Sequence, residues 1–594
     1  MSYIIDKIEE LHGGDKKQLE VILSDKKRII VEAPAGYGKT ATMVSRIAYL
    51  YSKGSIPNPK KILALTFSVN AALKIKRDVA EKLPILIQEK NNPINIGEKV
   101  TVTNYHGFCK TILRKYGYIL SPLLKRDINS LCAIGDESVD KYDDLKSMNN
   151  SNIVFIKYID MKIKRAIFPD KDEIEKYNRI IIEDLLPKDK ITHTSIILMT
   201  IELLDKNPTI RSFYQSYYPL LVVDEFQDTN CVAWELLKRI ISDKTQILFL
   251  GDSLQRIYGF IGAVPAIMEN AREELQAERI LLEKNYRFKD NIEMLKLDRN
   301  IRLNAMNDFN PIIPESASLE TFWATNQYEE AQKVIAEIVK LQGTETNDKV
   351  AILFRSRGEN SEIFEQELIR NNIDYFYGMF TDDNQEYIDF HRYCQMEFIK
   401  KFGGRTSIGR KSLKDFSKII TETYRDKKNK MTESLCVLLD AFVKKIINDY
   451  SDLSGEDKYS LALDIFENRQ LKQAMEYVDA QIILSTIHGA KGLEWSYVFL
   501  PDFERWGLPS YFTCKNCINR YSALTKAACP LPSAEAMNIS SMLDELSVLY
   551  VAVTRARKQV YVSASAKRAN GKDGCLSCMS HLPGIFVVNA ERNK

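Results

Sequence analysis

The chain has 594 residues, 45% of them hydrophobic and 27% charged, with a formal net charge of +3 and a pI near 8.1. That length predicts about four folded units, and the apolar content excludes a chain too polar to build cores. The near-neutral balance excludes no nucleic-acid partner, because a basic track can be offset by acidic faces elsewhere. No apolar run is long enough to span a bilayer, and residues 1–14 alternate charged with apolar side chains and lack a signal-peptide core. The cytoplasm is therefore expected, with no membrane partner, and no repeat of solenoid period is present.

In chain order, the first informative stretch is the apolar run at residues 29–31, which leads into Ala33, Pro34, Ala35, Gly36, Tyr37, Gly38, Lys39 and Thr40. A glycine-bearing turn between a strand and a helix is built to hold phosphate. Gly36 and Gly38 let backbone N–H groups point inward, Lys39 offers charge to the β- and γ-phosphates, and the Thr40 hydroxyl can ligate Mg²⁺. Ala33 stands where the general pattern has glycine. Residues 135–152 form a polar stretch, followed by Lys- and Glu-rich segments with helical spacing. The apolar residues 220–223 read as a buried parallel strand ending on Asp224 and Glu225. Asp224 would hold the metal and Glu225 would activate the attacking water; a strand running into an acidic turn is the alternative. Cradle, Mg²⁺ and base are what in-line attack on a γ-phosphate requires.

A second apolar strand, residues 247–250, precedes Gly251 to Ala263, and residues 350–354 read as another. Residues 416–424 and 435–447 are helix-patterned. Ten cysteines in a chain with cytoplasmic motifs are not expected to form disulfides. Cys514 and Cys517 pair at metal-ligand spacing, as do Cys575 and Cys578, with Cys529 between them. Four thiolates at Cys514, Cys517, Cys575 and Cys578 could hold structural Zn²⁺, and ordinary free thiols account for the same residues. Cys109, Cys132, Cys231, Cys394 and Cys436 read as reduced packing residues.

Taken together, eight ordered segments resemble the superfamily 1 helicases of the UvrD, Rep and PcrA group, from about Gln18 to Lys558. Besides the two sites above, these are residues 64–72 (Ala-Leu-Thr-Phe-Ser-Val-Asn-Ala-Ala), 103–108 (Thr-Asn-Tyr-His-Gly-Phe) and 251–263. Asn285-Tyr286-Arg287, residues 486–495 (Thr-Ile-His-Gly-Ala-Lys-Gly-Leu-Glu-Trp) and residues 549–556 (Leu-Tyr-Val-Ala-Val-Thr-Arg-Ala) complete the set. The resemblance implies an ATP-dependent DNA helicase. Gln18 would read adenine, Tyr286 stack on it, and Glu494, beside Gly492, bond the ribose. Gln255 would couple the γ-phosphate to the DNA track, while Arg287 and Arg555 would reach the γ-phosphate as arginine fingers.

The implied fold is α/β, two RecA-like P-loop lobes with parallel sheets, each carrying a mostly helical insertion. One lobe is expected at residues 1–110 and 195–284, with its insertion at 111–194. The other is expected at 285–377 and 479–594, with a short insertion at 378–478. Single-stranded DNA and junctions with duplex are the expected partners, contacted by Thr66, Phe67, Tyr105, His106, Phe108, Tyr258, Phe260 and His488. Stacking on rings tolerates any base. Core packing is the competing reading for Phe67 and Phe108, and a satisfied local hydrogen bond for the histidines. Ala41, Ile261 and the pair Leu546-Ser547 replace arginines usual in relatives, which puts base selectivity, one DNA contact and the support of Arg555 in doubt.

Three functions compete: a 3′ to 5′ single-strand motor that unwinds duplex, the motor subunit of a nuclease assembly in recombination or Gabija-type phage defence, and a DNA-binding module using ATP only as a conformational ligand. No spaced acidic residues and lysine of a fused nuclease follow Lys558, so cutting would need a partner protein. Pathway and oligomeric state are not encoded in any motif.

Overall fold

The computed structural model describes residues 2–67, 69–87, 99–125, 128–256, 262–264, 266–344, 348–381, 384–403, 405, 407–425, 429–451, 453–520 and 528–590. The chain divides into two units, Met1–Tyr286 and Arg287–Lys594.

The first unit contains β1 (Arg28–Glu32), β2 (Ile62–Thr66), β3 (Val100–Asn104), β4 (Cys132–Ile134), β5 (Lys190–Thr192), β6 (Leu220–Val223), β7 (Gln246–Gly251) and β8 (Glu278–Leu281). Six of them form one sheet in the order β3-β2-β6-β7-β1-β8, every neighbouring pair parallel. A parallel sheet covered by helices on both faces needs apolar side chains at every strand position. The alternation of strand side chains then divides them between two cores. Ile29, Val31, Leu220, Val222, Leu248 and Leu250 fill one, and Ile30, Leu221, Val223, Ile247 and Phe249 fill the other. The register pairs Arg28 with Ile247 and Leu220 with Gln246, so the strands end together on the face where the phosphate-loop and acidic residues emerge.

Between β3 and β6 the chain is mainly helical, as Asn150–Lys164 and Lys171–Ile180 illustrate. The polar stretch after residue 135 forms short 3-10 turns, and β4 and β5 pair in a small parallel ladder that helical spacing did not foretell. Asp136 is buried there, accepting a hydrogen bond from Tyr177.

The second unit holds β9 (Ala317–Ala324), β10 (Val350–Phe354), β11 (Phe376–Gly378), β12 (Ile482–Thr486), β13 (Trp495–Leu500), β14 (Ala556–Ser565) and β15 (Ile585–Asn589). These make a parallel sheet in the order β11-β12-β10-β13-β14-β9-β15. Four helices, Gln385–Phe402, Arg410–Tyr424, Lys430–Asn448 and Gly455–Glu467, lie between β11 and β12. Phe398, Phe402, Phe416, Phe442 and Phe466 pack ring against ring among them. Both units are therefore α/β with parallel sheets. Among the described residues no helix is long and apolar enough to cross a membrane.

Candidate nucleotide and DNA site

In the first unit the loop from Ala33 to Gly38 leaves the carboxyl end of β1, and a helix, Lys39–Ser52, begins immediately after it. Gly36 and Gly38 have φ of 83° and 82°, a left-handed backbone that side chains with a Cβ rarely adopt. A Cβ on Gly38 would lie 2.3 Å from Gln18 Nε2 and would displace that amide, so the backbone conformation calls for glycine and the neighbour reinforces it. Ala33 donates its N–H to Gly251 O at 2.7 Å, tying the loop to β7 in place of any special role for a first glycine.

Lys39 Nζ lies 3.1 Å from Asp224 Oδ1 and also pairs with Glu225. Burial opposes the charge on Lys39, but the two carboxylates outweigh it and raise its pKa. The Asp224 carboxyl is shifted upward by its burial, which Lys39 only partly offsets. Glu225 sits at φ 52°, an uncommon conformation for glutamate that costs roughly 1–2 kcal/mol. Strain of this kind persists where surroundings impose it, as at sites of chemistry.

Gln227, which no spacing argument singled out, is fully enclosed at 1% exposure and joins two motifs. Its amide N–H donates to Glu225 Oε2 at 2.6 Å, and its Oε1 accepts from the Asp252 N–H at 3.0 Å. Asp252 in turn accepts from Gln255 Nε2 at 2.8 Å. Glu225 is thus connected through Gln227 and Asp252 to Gln255. Thr66 Oγ1, buried at the end of β2, has no hydrogen-bond partner. Thr40, in the first turn of the helix Lys39–Ser52, and Asp224 offer oxygen ligands suited to a hard cation, and Mg²⁺ fits that donor set.

Gln18 and Tyr286 converge on the same loop. Gln18 donates to Tyr37 O at 3.1 Å and bonds His12 through its Oε1. The Tyr286 N–H donates to Gly36 O at 2.8 Å, and its hydroxyl donates to Asp15 Oδ2 at 2.7 Å. His12 and Asp15 were missed because an isolated polar residue near an N-terminus carries no spacing signature.

In the second unit, Arg287 donates to Glu494 and to Thr554 O, and Glu494 also receives Arg557 at 3.2 Å. Gly492 has φ 85° with open space where a Cβ would project. Arg555 is 4% exposed and donates to Val551 O, Leu493 O and Thr554 Oγ1. Two backbone carbonyls and a neighbouring hydroxyl hold it.

The chain matches two family models, the UvrD/REP helicase N-terminal domain over residues 15–276 and the UvrD-like helicase C-terminal domain over residues 381–567. The chain belongs to the UvrD/Rep helicase family. Among relatives, the ATP-dependent DNA helicase PcrA of Staphylococcus aureus (strain Mu50 / ATCC 700699) is 26% identical over 388 residues, 61% of this chain and 50% of that protein. PcrA of Staphylococcus epidermidis (strain ATCC 12228 / FDA PCI 1200) is 23% identical over 668 residues, 96% of this chain and 86% of that protein. The chain spans about half the length of the S. aureus relatives it matches.

Within this UvrD/Rep chain the side chains expected on DNA separate. Phe108 is 2% exposed and packs edge-on against Tyr214 and Tyr218, so it belongs to the core. Tyr105 is likewise buried, its hydroxyl 3.3 Å from Thr229 Oγ1. Both are corrected from stacking residues to packing residues, since an enclosed ring offers no face to a base. His106 meets His193 edge-on, and burial, with Lys110 nearby, lowers its pKa to about 4. Thr66 is buried, whereas Phe67 and His488 are partly exposed. Tyr258, Phe260 and Ile261 lie outside the described residues.

The zinc expectation at Cys514, Cys517, Cys575 and Cys578 finds no support: among the described residues no three cysteine sulfurs lie mutually within 4.8 Å. None of the ten cysteines forms a disulfide. Cys514, Cys517, Cys529 and Cys578 line one cavity, and Cys575 does not. Among the described residues the one carboxylate trio close enough to share an ion is Glu330, Asp502 and Glu504. Arg568 bonds Glu504 at 3.0 Å, Asn360 bonds Asp502 at 2.8 Å, and burial raises the pKa of all three acids.

Proposed function

We propose that this chain is an ATP-driven motor that moves 3′ to 5′ along single-stranded DNA and unwinds duplex at junctions. The observation that carries the reading is Lys39, delivered by the loop after β1 to Asp224 and Glu225 at the end of β6. A cation waiting on two carboxylates is the arrangement a triphosphate would enter, drawing Lys39 onto its phosphates. Mg²⁺, held by Thr40 and Asp224, would neutralise charge on the transferring phosphoryl group. Glu225, steadied by Gln227, takes the proton of the attacking water. Gln18 and Tyr286 receive the base, and Glu494 the ribose.

Arg287 and Arg555 act on the γ-phosphate in this reading. Arg287 exchanges Glu494 for phosphate when nucleotide binds, which makes its position depend on the nucleotide state. A contact present with ATP and absent with ADP shifts a conformational equilibrium, and that shift is what moves DNA. Phe67, His106 and His488 remain as the described residues proposed to meet the strand, together with Tyr258 and Phe260, while Thr66, buried at the end of β2, is set aside.

Strand displacement tests the proposal. Duplexes with a 3′ or a 5′ single-stranded tail are incubated with protein and Mg-ATP. Displacement from the 3′-tailed substrate alone supports it. ATP hydrolysis without displacement from either substrate favours a nuclease-partnered motor subunit or an ATP-regulated DNA-binding module, and displacement from the 5′ tail reverses the polarity.

A further inference from the structure

Two loop-rich stretches of the second unit, following β13 and β14, carry five cysteines that the nucleotide chemistry does not use. Among the described residues around these cysteines, regular structure comprises a five-residue helix, Tyr511–Lys515, the 3-10 turns Ile518–Arg520, Ala534–Ala536 and Cys578–His581, and isolated bridges such as Ala528 to Leu576. Yet Cys514, Cys517, Cys529 and Cys578, drawn from three separate segments, all face one cavity of about 60 Å³. Three of them are 6–7% exposed, and Cys517 is partly exposed.

The backbone is organised around these sulfurs. Cys517 donates its N–H to Cys514 O at 3.2 Å, folding the first pair into a turn. The Cys529 N–H donates to Leu576 O at 2.8 Å, which brings it beside Cys578. The Trp506 N–H points at Cys514 Sγ from 3.5 Å, the kind of outer hydrogen bond that orients a ligating sulfur. Arg505 and Arg520 also line the cavity, and Arg505 donates to Arg520 O. Cations there would offset the negative charge that four thiolates place on a metal. Free thiols used for packing need neither a shared cavity between them nor flanking arginines.

We propose that Cys514, Cys517, Cys529 and Cys578 form a four-thiolate site for a thiophilic metal centre that pins these loops together. Cys575 stays outside it. Among the described residues no three cysteine sulfurs lie mutually within 4.8 Å. A single zinc ion, with Zn–S bonds near ~2.3 Å, would draw the four sulfurs together, whereas an iron–sulfur cluster would hold the same thiolates farther apart. The shared chemistry is thiolate ligation, and metal analysis separates the two.

The full chain is purified without oxygen or chelator and assayed for zinc, iron and acid-labile sulfide, beside Cys529→Ser and Cys575→Ser. Stoichiometric zinc, or iron with sulfide and a visible charge-transfer band, is expected in the wild type and in Cys575→Ser. Cys529→Ser is expected to fall to background while its ATP binding, measured by a fluorescent nucleotide, is unchanged. If Cys529→Ser is insoluble, Cys517→Ser, with its partly exposed thiol, replaces it. Wild-type protein without metal overturns the proposal, as does metal retained in Cys529→Ser or lost from Cys575→Ser.

Discussion

Gln227 shows how a single buried amide can matter to chemistry it does not perform. Glu225 holds a left-handed backbone and a partly exposed carboxylate, and the 2.6 Å bond from Gln227 fixes where that carboxylate points. A hydrogen bond to a charged group contributes about 1.5–3 kcal/mol. Gln227→Ala is therefore expected to lower kcat for DNA-stimulated hydrolysis by roughly ten-fold or more, with KM for ATP nearly unchanged. Steady-state kinetics check it; a change confined to KM would make Gln227 a binding residue.

Asp136 is a residue with a pH signature. Burial lifts its pKa from 3.8 to about 7, against the opposing hydrogen bonds of Thr194 and Tyr177. Because the folded value lies above the unfolded one, its contribution to stability is complete below the unfolded value and is lost as pH rises through the folded value. Asp136→Asn should melt at a higher temperature than wild type at about pH 7.5, with the gain shrinking toward about pH 5. His106, whose pKa falls to about 4, loses stability in the opposite direction, as pH drops below its unfolded value. That loss is common to both proteins and cancels in the comparison. A gain independent of pH would mean that Asp136 is ionised at little cost.

Among the elements, strands and phosphate loop were legible in the sequence because their physics is local. Strands β1, β6, β7 and β10 are buried on both faces and so read as apolar runs, and Gly36 and Gly38 announce left-handed backbone. Helices in the second insertion were legible from periodicity, though Arg410–Tyr424 and Lys430–Asn448 extend beyond the apolar windows that marked them. Strand order was not legible, because nothing in β6 specifies that β2 and β7 flank it. Nor was the difference between a stacking ring and a core ring. Phe108 lies one turn inside the helix Tyr105–Tyr116, where the helix Pro208–Tyr217 and Tyr218 close over it. Phe108→Ala should cost about 3–5 kcal/mol of stability in chemical denaturation. A stable variant with weakened single-strand affinity would return Phe108 to the DNA track. Nor was it legible that Cys529 shares a cavity with Cys514, Cys517 and Cys578, because that neighbourhood arises only through the fold.

For the whole molecule, the account requires that hydrolysis on residues of the first unit depend on arginines of the second. The order of the motifs makes that division legible in the sequence, since Lys39, Asp224 and Glu225 precede residue 286 while Arg287, Glu494 and Arg555 follow it. What the motifs could not convey is how each arginine is held: Arg555 rests on two backbone carbonyls and a hydroxyl, whereas Arg287 rests on Glu494 and Thr554 O. Arg287 is the more direct probe, because its side chain is more exposed than that of Arg555. Single-turnover hydrolysis of ATP by wild type and Arg287→Ala, with saturating single-stranded DNA and nucleotide affinity measured in parallel, tests the claim. The account predicts a rate lower by about 10³-fold or more with nucleotide affinity changed far less; hydrolysis at the wild-type rate would contradict it.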